Sequence, residues 1–412
     1  MMNKATKIKY YIDSLCIYDI KQDSVIKAMC DLIDSAQSEQ VLVNQSSFFN
    51  LLSAASGLKN HISRCILTHD NEFTKACAGG RVSKLSPRII DAVKSDLKKL
   101  EEISSLTAQD IAEAVENNDI KEILATIPEW EIGCSEYPLE ESWENCLDRL
   151  AEYYKQNGYG MYARNIAFTW RDKQIIPVNS IDTITLTDLK NYEFQREKVI
   201  DNTESFVTGH PANNVLLYGD RGTGKSSTVH ALLNEYYKQG LRMIEIPKSA
   251  VADLTLIREQ IADSPMKFII YIDDLSFDSN DNSFSELKAA LEGSLSGRQS
   301  NILIYATSNR RHLIKESFSD RENDVNRNDI MQEQLSLSDR FGLTITFLNP
   351  NKQEYLDIVM KIAQDRGLTD VDKEHLCFMA DQWATRRGGR SPRCAKQFVD
   401  YVESCHKRKV KW

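Results

Sequence analysis

Val215-Leu216-Leu217-Tyr218-Gly219-Asp220-Arg221-Gly222-Thr223-Gly224-Lys225-Ser226-Ser227 decides how this chain is read: an apolar run, a glycine-rich turn ending in Lys-Ser, then a helix-compatible stretch to Tyr236. Glycines at 219, 222 and 224 let the backbone curl until consecutive N–H groups point inward at phosphate oxygens, and the following helix adds its positive end. Lys225 then reaches the terminal phosphates, and the Ser226 hydroxyl is a ligand for Mg²⁺. Asp220, Arg221, Thr223 and Ser227 complete the set expected around the phosphates. GxxxxGKS between a strand and a helix implies a bound nucleoside triphosphate; a purely structural glycine turn is the alternative.

Further motifs lie at the ends of apolar runs. Phe268-Ile269-Ile270-Tyr271-Ile272-Asp273-Asp274 reads as a buried strand ending in two carboxylates. Asp273 is placed to hold Mg²⁺ through its water shell and Asp274 to orient or deprotonate an attacking water, where a polar turn is the plainer reading. The run Ile302 to Thr307 leads into Ser308-Asn309-Arg310, whose Asn309 is suited to hydrogen-bond a γ-phosphate or the lytic water. Arg340, in Ser338-Asp339-Arg340-Phe341-Gly342, is a candidate to supply positive charge to the phosphate of a neighbouring protomer, against the alternative of a surface ion pair. Arg393 falls in the first turn of a helix opened by Ser391 and Pro392, where a cation opposes the helix dipole and contact with an anion explains it. Arg390, just before, is a weaker candidate for the same role.

At 412 residues the chain exceeds what one hydrophobic core organises. Helical patterns fill residues 1–175, short apolar runs alternating with helices fill 176–349, and helical patterns return over 350–412. The runs Val215 to Tyr218, Met243 to Ile246, Phe268 to Ile272, Ile302 to Thr307 and Leu343 to Leu348 imply a parallel sheet covered on both faces, with ligands at the carboxyl ends of its strands. In the first region Ser86-Pro87 opens a helix carrying Val93, Leu97 and Leu100, Thr107 with Asp110 opens another, and a third begins near Glu140 and ends at Asn157-Gly158. His61, His69, Trp130, Trp143, Tyr153 and Tyr154 read as packing residues, or as parts of a partner-binding module.

A net charge of −9 argues against a surface given over wholly to nucleic acid. Nine scattered cysteines form no CxxC or zinc spacing and fit reduced thiols in the cytoplasm. No stretch reaches the roughly 18 apolar residues of a membrane span, so a soluble protein without a membrane partner is expected.

Taken together, the phosphate loop, acidic strand, Asn309, Arg340 and Arg393 resemble an AAA+ ATPase. More narrowly, the chain is similar to an uncharacterised bacterial family of stand-alone AAA+ ATPases known only as a domain of unknown function. The likeness lies in Asn213 to Gly219, Asp273-Asp274-Leu275-Ser276-Phe277, Leu291-Glu292-Gly293-Ser294, Ser308-Asn309-Arg310-Arg311-His312-Leu313 and Ser336 to Gly342. The resemblance implies an α/β sheet of order 5-1-4-3-2 with a small helical lid, ATP and Mg²⁺ between core and lid, and Asp188-Leu189 and the helix from Tyr192 to Thr208 beside the adenine. It also implies a homo-oligomer in which Arg340 acts in trans, with Asn309 and Arg393 as the sensor residues. Asp274 stands where the wider superfamily has Glu, a base shorter by one methylene. Pro247 to Leu254 lacks the aromatic-hydrophobic-Gly loop of protein-threading machines, so unfolding activity is not implied.

The leading expectation is an ATPase that couples hydrolysis to remodelling or regulating an unknown macromolecular partner, and a protein partner is expected at the N-terminal helices. A slowly hydrolysing, nucleotide-dependent adaptor is the alternative. A GTPase would use Asn351-Lys352-Gln353-Glu354, but guanine selection wants Asp at the fourth position. A nucleic-acid loader has compact support only in the basic tail His406-Lys407-Arg408-Lys409-Val410-Lys411.

Overall fold

The computed structural model describes residues 2–135, 137–140, 142–262, 264–276, 282–292, 300–309, 340–368, 370–408 and 410. It divides into two compact units, Met1–Arg164 and Asn165–Trp412.

Among the described residues the first unit is helical. Ser86 caps the helix Pro87–Ile103 by accepting from the Arg88 amide at 3.3 Å, and Val93, Leu97 and Leu100 face the core. Thr107 and Asp110 form both arms of a capping box. The expected helix from Glu140 starts later: Trp143–Asn145 is a separate 3₁₀ turn and the α-helix is Leu147–Asn157. Glu101 Oε2 accepts from the Trp143 amide at 3.1 Å and ties that turn to the neighbouring helix. Trp130, Trp143 and Tyr154 are buried, with Trp130 Nε1 donating to Leu106 O at 2.9 Å and the Tyr154 hydroxyl to Ile66 O at 2.7 Å. His61 Nε2 lies 2.8 Å from Asp23 Oδ1, which also caps the helix Ser24–Asp34. These aromatic groups thus bury ring area while satisfying their polar atoms.

In the second unit the strands are β1 (Ala167–Arg171), β2 (Gln174–Pro177), β3 (Val215–Gly219), β4 (Leu241–Ile246), β5 (Lys267–Ile272), β6 (Ile302–Ser308) and β7 (Leu343–Phe347). Among the described residues they form one seven-stranded sheet of order β2-β1-β4-β5-β6-β3-β7. Strands β3 to β7 are parallel, and their spatial order read from β7 is the expected 5-1-4-3-2. The central β5 and β6 are buried along almost their whole length, as near-continuous apolar runs require.

Two strands escape the sequence pattern. β1 pairs parallel with β4 and antiparallel with β2, extending the sheet at that edge. Their hairpin turns at Asp172 and Lys173, both at positive φ (51° and 58°), so a tight turn is made without the Asn-Gly signature that would advertise it. Among the described residues three helices follow the sheet: Lys352–Asp365, Lys373–Arg386 and Pro392–Lys407. They enclose a small core of their own around Tyr355, Ile358, Leu376, Ala380 and Phe398.

Candidate nucleotide site

Everything in the site depends on how β3 ends. Gly219 has φ +135°, and a Cβ there would sit 1.9 Å from Phe347 O, so only glycine allows the loop to leave β3 against β7. Asp220 N donates to Phe347 O at 2.8 Å, and Asp220 Oδ2 accepts from Asn349 N at 2.7 Å. Gly222 and Gly224 also have positive φ, and the helix Lys225–Tyr236 begins directly after the turn. The Thr223 hydroxyl donates to Asp220 O at 2.9 Å, bracing the turn from within.

Lys225 is only 6% exposed. Its Nζ donates to Gly219 O at 2.9 Å, Asp220 O at 2.7 Å and Asn309 Oδ1 at 3.1 Å. Burial lowers its pKa, while Asp220, Asp274 and Asp273 pull in the opposite sense. A cation so placed, inside a loop of backbone amides, is suited to an anionic ligand.

Asp273 follows β5 and faces Ser226. Its Oδ1 accepts from the Ser226 hydroxyl at 2.8 Å, from the Tyr271 hydroxyl at 2.6 Å and from Thr307 Oγ1. Burial tends to raise the Asp273 pKa, but the hydrogen bonds from Thr307, Tyr271 and Ser226 outweigh it and hold the carboxylate below its ordinary value. Thr307 Oγ1 also accepts from the Asp274 amide at 3.0 Å, so one side chain on β6 positions both acids. Asp274 has φ +49°, uncommon for a non-glycine residue, and its Oδ1 accepts from Asn309 Nδ2 at 2.6 Å. Lys225, Ser226, Asp273, Asp274 and Asn309 therefore form one connected network.

Tyr271 and Thr307 are absent from the sequence-based candidates. Their signal lies in the period of two along a strand: Tyr271 shares a face with Asp273, and Thr307 with Asn309. A hydroxyl two residues before the motif, in an otherwise apolar run, marks the face that continues into the site.

The last helix closes over the loop. Ser391 caps it by accepting from Cys394 N at 3.2 Å, and the Arg393 amide donates to Gly222 O at 3.1 Å. A cleft of about 490 Å³ runs between Gly222–Gly224, the 182–190 segment and the lid residues Ile358, Ile362 and Arg393. Asp188 and Leu189 line it, as does the helix Glu193–Val207 through Arg196. Arg390 is held by Asp381, at 3.0 Å from Nε and 2.8 Å from Nη2.

Arg340 is not part of this cluster. It precedes β7, whose Leu343 pairs with Val215 and whose Phe347 pairs with Gly219. The loop thus leaves from the opposite end of β3, ~13 Å along the strand at about 3.3 Å per residue. Asn351 and Glu354 form a reciprocal capping box, with Glu354 N donating to Asn351 Oδ1 at 3.0 Å and Asn351 N to Glu354 Oε2 at 2.8 Å. They serve as a helix start. Phe277, Gly293, Ser294, the 310–313 segment and the 336–339 segment, all part of the motifs above, lie outside the described residues, as do Lys409 and Lys411 of the basic tail.

A phosphate loop at the carboxyl end of strand 1 of a 5-1-4-3-2 sheet, closed by a helical lid, defines the class: an AAA+-type phosphate-loop protein. The chain belongs to the family described as "Protein of unknown function (DUF815)", whose model matches residues 163–406. No curated protein matches the chain. Among solved structures it is similar to the RuvB Holliday junction branch migration motor of Thermotoga maritima, at 18% identity and a TM-score of 0.38 over 55% of this chain and 67% of that one. It is also similar to a chain of the HORMA:CdnC:Trip13 complex of E. coli MS115-1, at 12% identity and a TM-score of 0.36 over 52% of this chain and 89% of that one. Among the described residues no helix is long and apolar enough to cross a membrane.

Proposed function

We propose that the Asn165–Trp412 unit binds ATP with Mg²⁺ and hydrolyses it to ADP and phosphate, and that the cycle drives remodelling of a protein partner held by the N-terminal helices. The observation that carries this reading is the fastening of Asp273 and Asp274 by the single hydroxyl of Thr307, beside Ser226 and Lys225. The loop amides with Asp220, Arg221, Thr223 and Ser227 surround the phosphates, and Lys225 neutralises their terminal charge. Ser226 and Asp273 offer hard oxygen donors on facing elements, 2.8 Å apart, a set suited to Mg²⁺. Bound there, the ion would neutralise charge on the phosphate oxygens. Asp274 orients the attacking water and accepts its proton, with Asn309 holding Asp274 in place. Arg393 reports nucleotide to the lid, because its own amide already rests on the loop.

Arg340 lies at the far end of β7 from its own loop, which supports action on the nucleotide of a neighbouring copy. A mixing experiment tests this. Arg340→Ala and Lys225→Ala proteins are each expected to release little phosphate from ATP, while an equimolar mixture recovers activity because one supplies an intact loop and the other an intact Arg340. No recovery in the mixture would remove the shared site. The Asn309 to Asp274 bond also favours a second reading, a slow switch in which the base is held back until a partner binds.

A further inference from the structure

The helix Glu193–Val207 buries Arg196, Val199, Thr203 and Phe206, a spacing that marks the face turned to the core. A cation stands in a stripe that otherwise packs against the sheet. The Arg196 side chain is 10% exposed, and its ion-pair partner Glu193 Oε1 is 3.8 Å away, beyond hydrogen-bond distance, on a side chain 66% exposed. Two other cations of the cleft are engaged, Lys190 with Asp365 at 2.5 Å and Arg366 with Glu403 at 2.6 Å and Asp400 at 3.0 Å, while Arg393 and Lys396 line it from the last helix. Among the described residues the Arg196 guanidinium has no hydrogen-bonding partner, and it lines the cleft that begins at Gly222–Gly224. None of its nitrogens is among the buried polar atoms left without a partner, so while the stem is packed the donors open into the cleft, where a ligand can take them.

Which ligand atom fits follows from the chemistry. Guanidinium offers N–H donors and no acceptor. The loop amides and Lys225 take the phosphates, so the remainder of the cleft receives ribose and base. Ribose hydroxyls donate as readily as they accept. A purine N7 only accepts, and in the anti form it lies on the side of the base nearer the 5′-phosphates. A pyrimidine has no ring nitrogen there.

We propose that Arg196 reads the nucleobase, donating to N7 of a purine in the cleft and setting a preference for purine over pyrimidine triphosphates. This role rests on the nucleotide reading above. The test is direct binding of ATP, 7-deaza-ATP, in which N7 is replaced by a C–H, CTP and inorganic tripolyphosphate to the full chain and to Arg196→Met and Arg196→Lys. Wild type is expected to bind ATP about tenfold or more tightly than 7-deaza-ATP, the effect of a hydrogen bond from a charged donor. CTP should be weaker still. Arg196→Met should bind ATP and 7-deaza-ATP alike while keeping its affinity for tripolyphosphate, and Arg196→Lys should recover part of the difference. Comparing the two analogues on wild type needs no variant, so a misfolded Arg196→Met leaves it intact. Equal binding of ATP and 7-deaza-ATP by wild type overturns the role, as does loss of tripolyphosphate binding in a folded Arg196→Met. If wild type binds neither ATP nor tripolyphosphate, the nucleotide reading of the cleft is what fails, and the role of Arg196 falls with it.

Discussion

The backbone amide of Arg393 donates to the carbonyl of Gly222 at 3.1 Å, so the first turn of the last helix rests on the phosphate loop. Gly222 has φ +77°, and a Cβ there would meet Ser391 Oγ at 3.0 Å and Arg393 Cβ at 3.1 Å. Gly222→Ala therefore strains the loop and pushes the lid away together. The left-handed conformation alone costs an L-residue ~1–2 kcal/mol. Nucleotide affinity is expected to fall about tenfold, as RT ln 10 near 1.4 kcal/mol dictates. Titration with fluorescent nucleotide checks this, and unchanged affinity would show that lid and loop are not coupled.

Thr307→Val keeps the shape of the side chain but removes the donor to Asp273 and the acceptor for the Asp274 amide. Turnover is expected to fall ~10–100-fold, the usual cost of losing an outer partner of a metal-site residue. Nucleotide binding without Mg²⁺ should change little. A wild-type rate in Thr307→Val would mean the two acids are positioned by something else.

Tyr271→Phe removes one of the O–H donors to Asp273. Hydrogen bonds to the ionised form are what hold the Asp273 pKa below its ordinary value, so losing one moves that pKa up. The acid limb of Mg²⁺-dependent activity should shift to higher pH in Tyr271→Phe. The sign for stability follows the same logic. With its folded-state pKa below the unfolded one, Asp273 contributes fully above the ordinary carboxylate range, and the contribution is lost as pH falls through the folded value. A pH–rate profile superimposable on wild type would contradict this.

In the N-terminal unit Asp96 is fully buried, and its Oδ2 accepts from the amides of Cys16, Ile17 and Tyr18 at 2.9, 2.6 and 3.1 Å. Asp96→Ala leaves those amides without their acceptor, at ~1–3 kcal/mol for each unsatisfied group. The unit should unfold at clearly lower urea concentration, followed by tryptophan fluorescence, while Asp96→Asn retains part of the loss. A midpoint unchanged in Asp96→Ala would show the segment is held by packing alone.

The sheet was legible because β3 to β7 each carry an apolar run, and three of them, β3, β5 and β6, lead directly into the polar residues Asp220, Asp273 and Asn309. β1 and β2 were not, since their turn uses Asp172 and Lys173 where glycine or asparagine would have signalled a hairpin. Within the site, Lys225, Ser226, Asp273, Asp274 and Asn309 announce themselves by motif. Tyr271 and Thr307 do not, because a Tyr or Thr inside a strand reads as β-propensity until the register sets its hydroxyl against Asp273. Arg196 is hidden differently: one arginine in a helix is unremarkable until burial shows which face it is on. What the first unit does is not written in a motif, since its polar residues serve caps and buried amides such as those bound by Asp96.

Hydrolysis itself is tested most directly by single-turnover release of phosphate from ATP, with wild type and Asp274→Asn in saturating excess over nucleotide and with Mg²⁺ present. The predicted result is Mg²⁺-dependent release by wild type, with Asp274→Asn binding ATP comparably but releasing phosphate ~100-fold or more slowly, the scale of a lost general base. Release by Asp274→Asn at the wild-type rate, or none from wild type that demonstrably binds ATP, would contradict it.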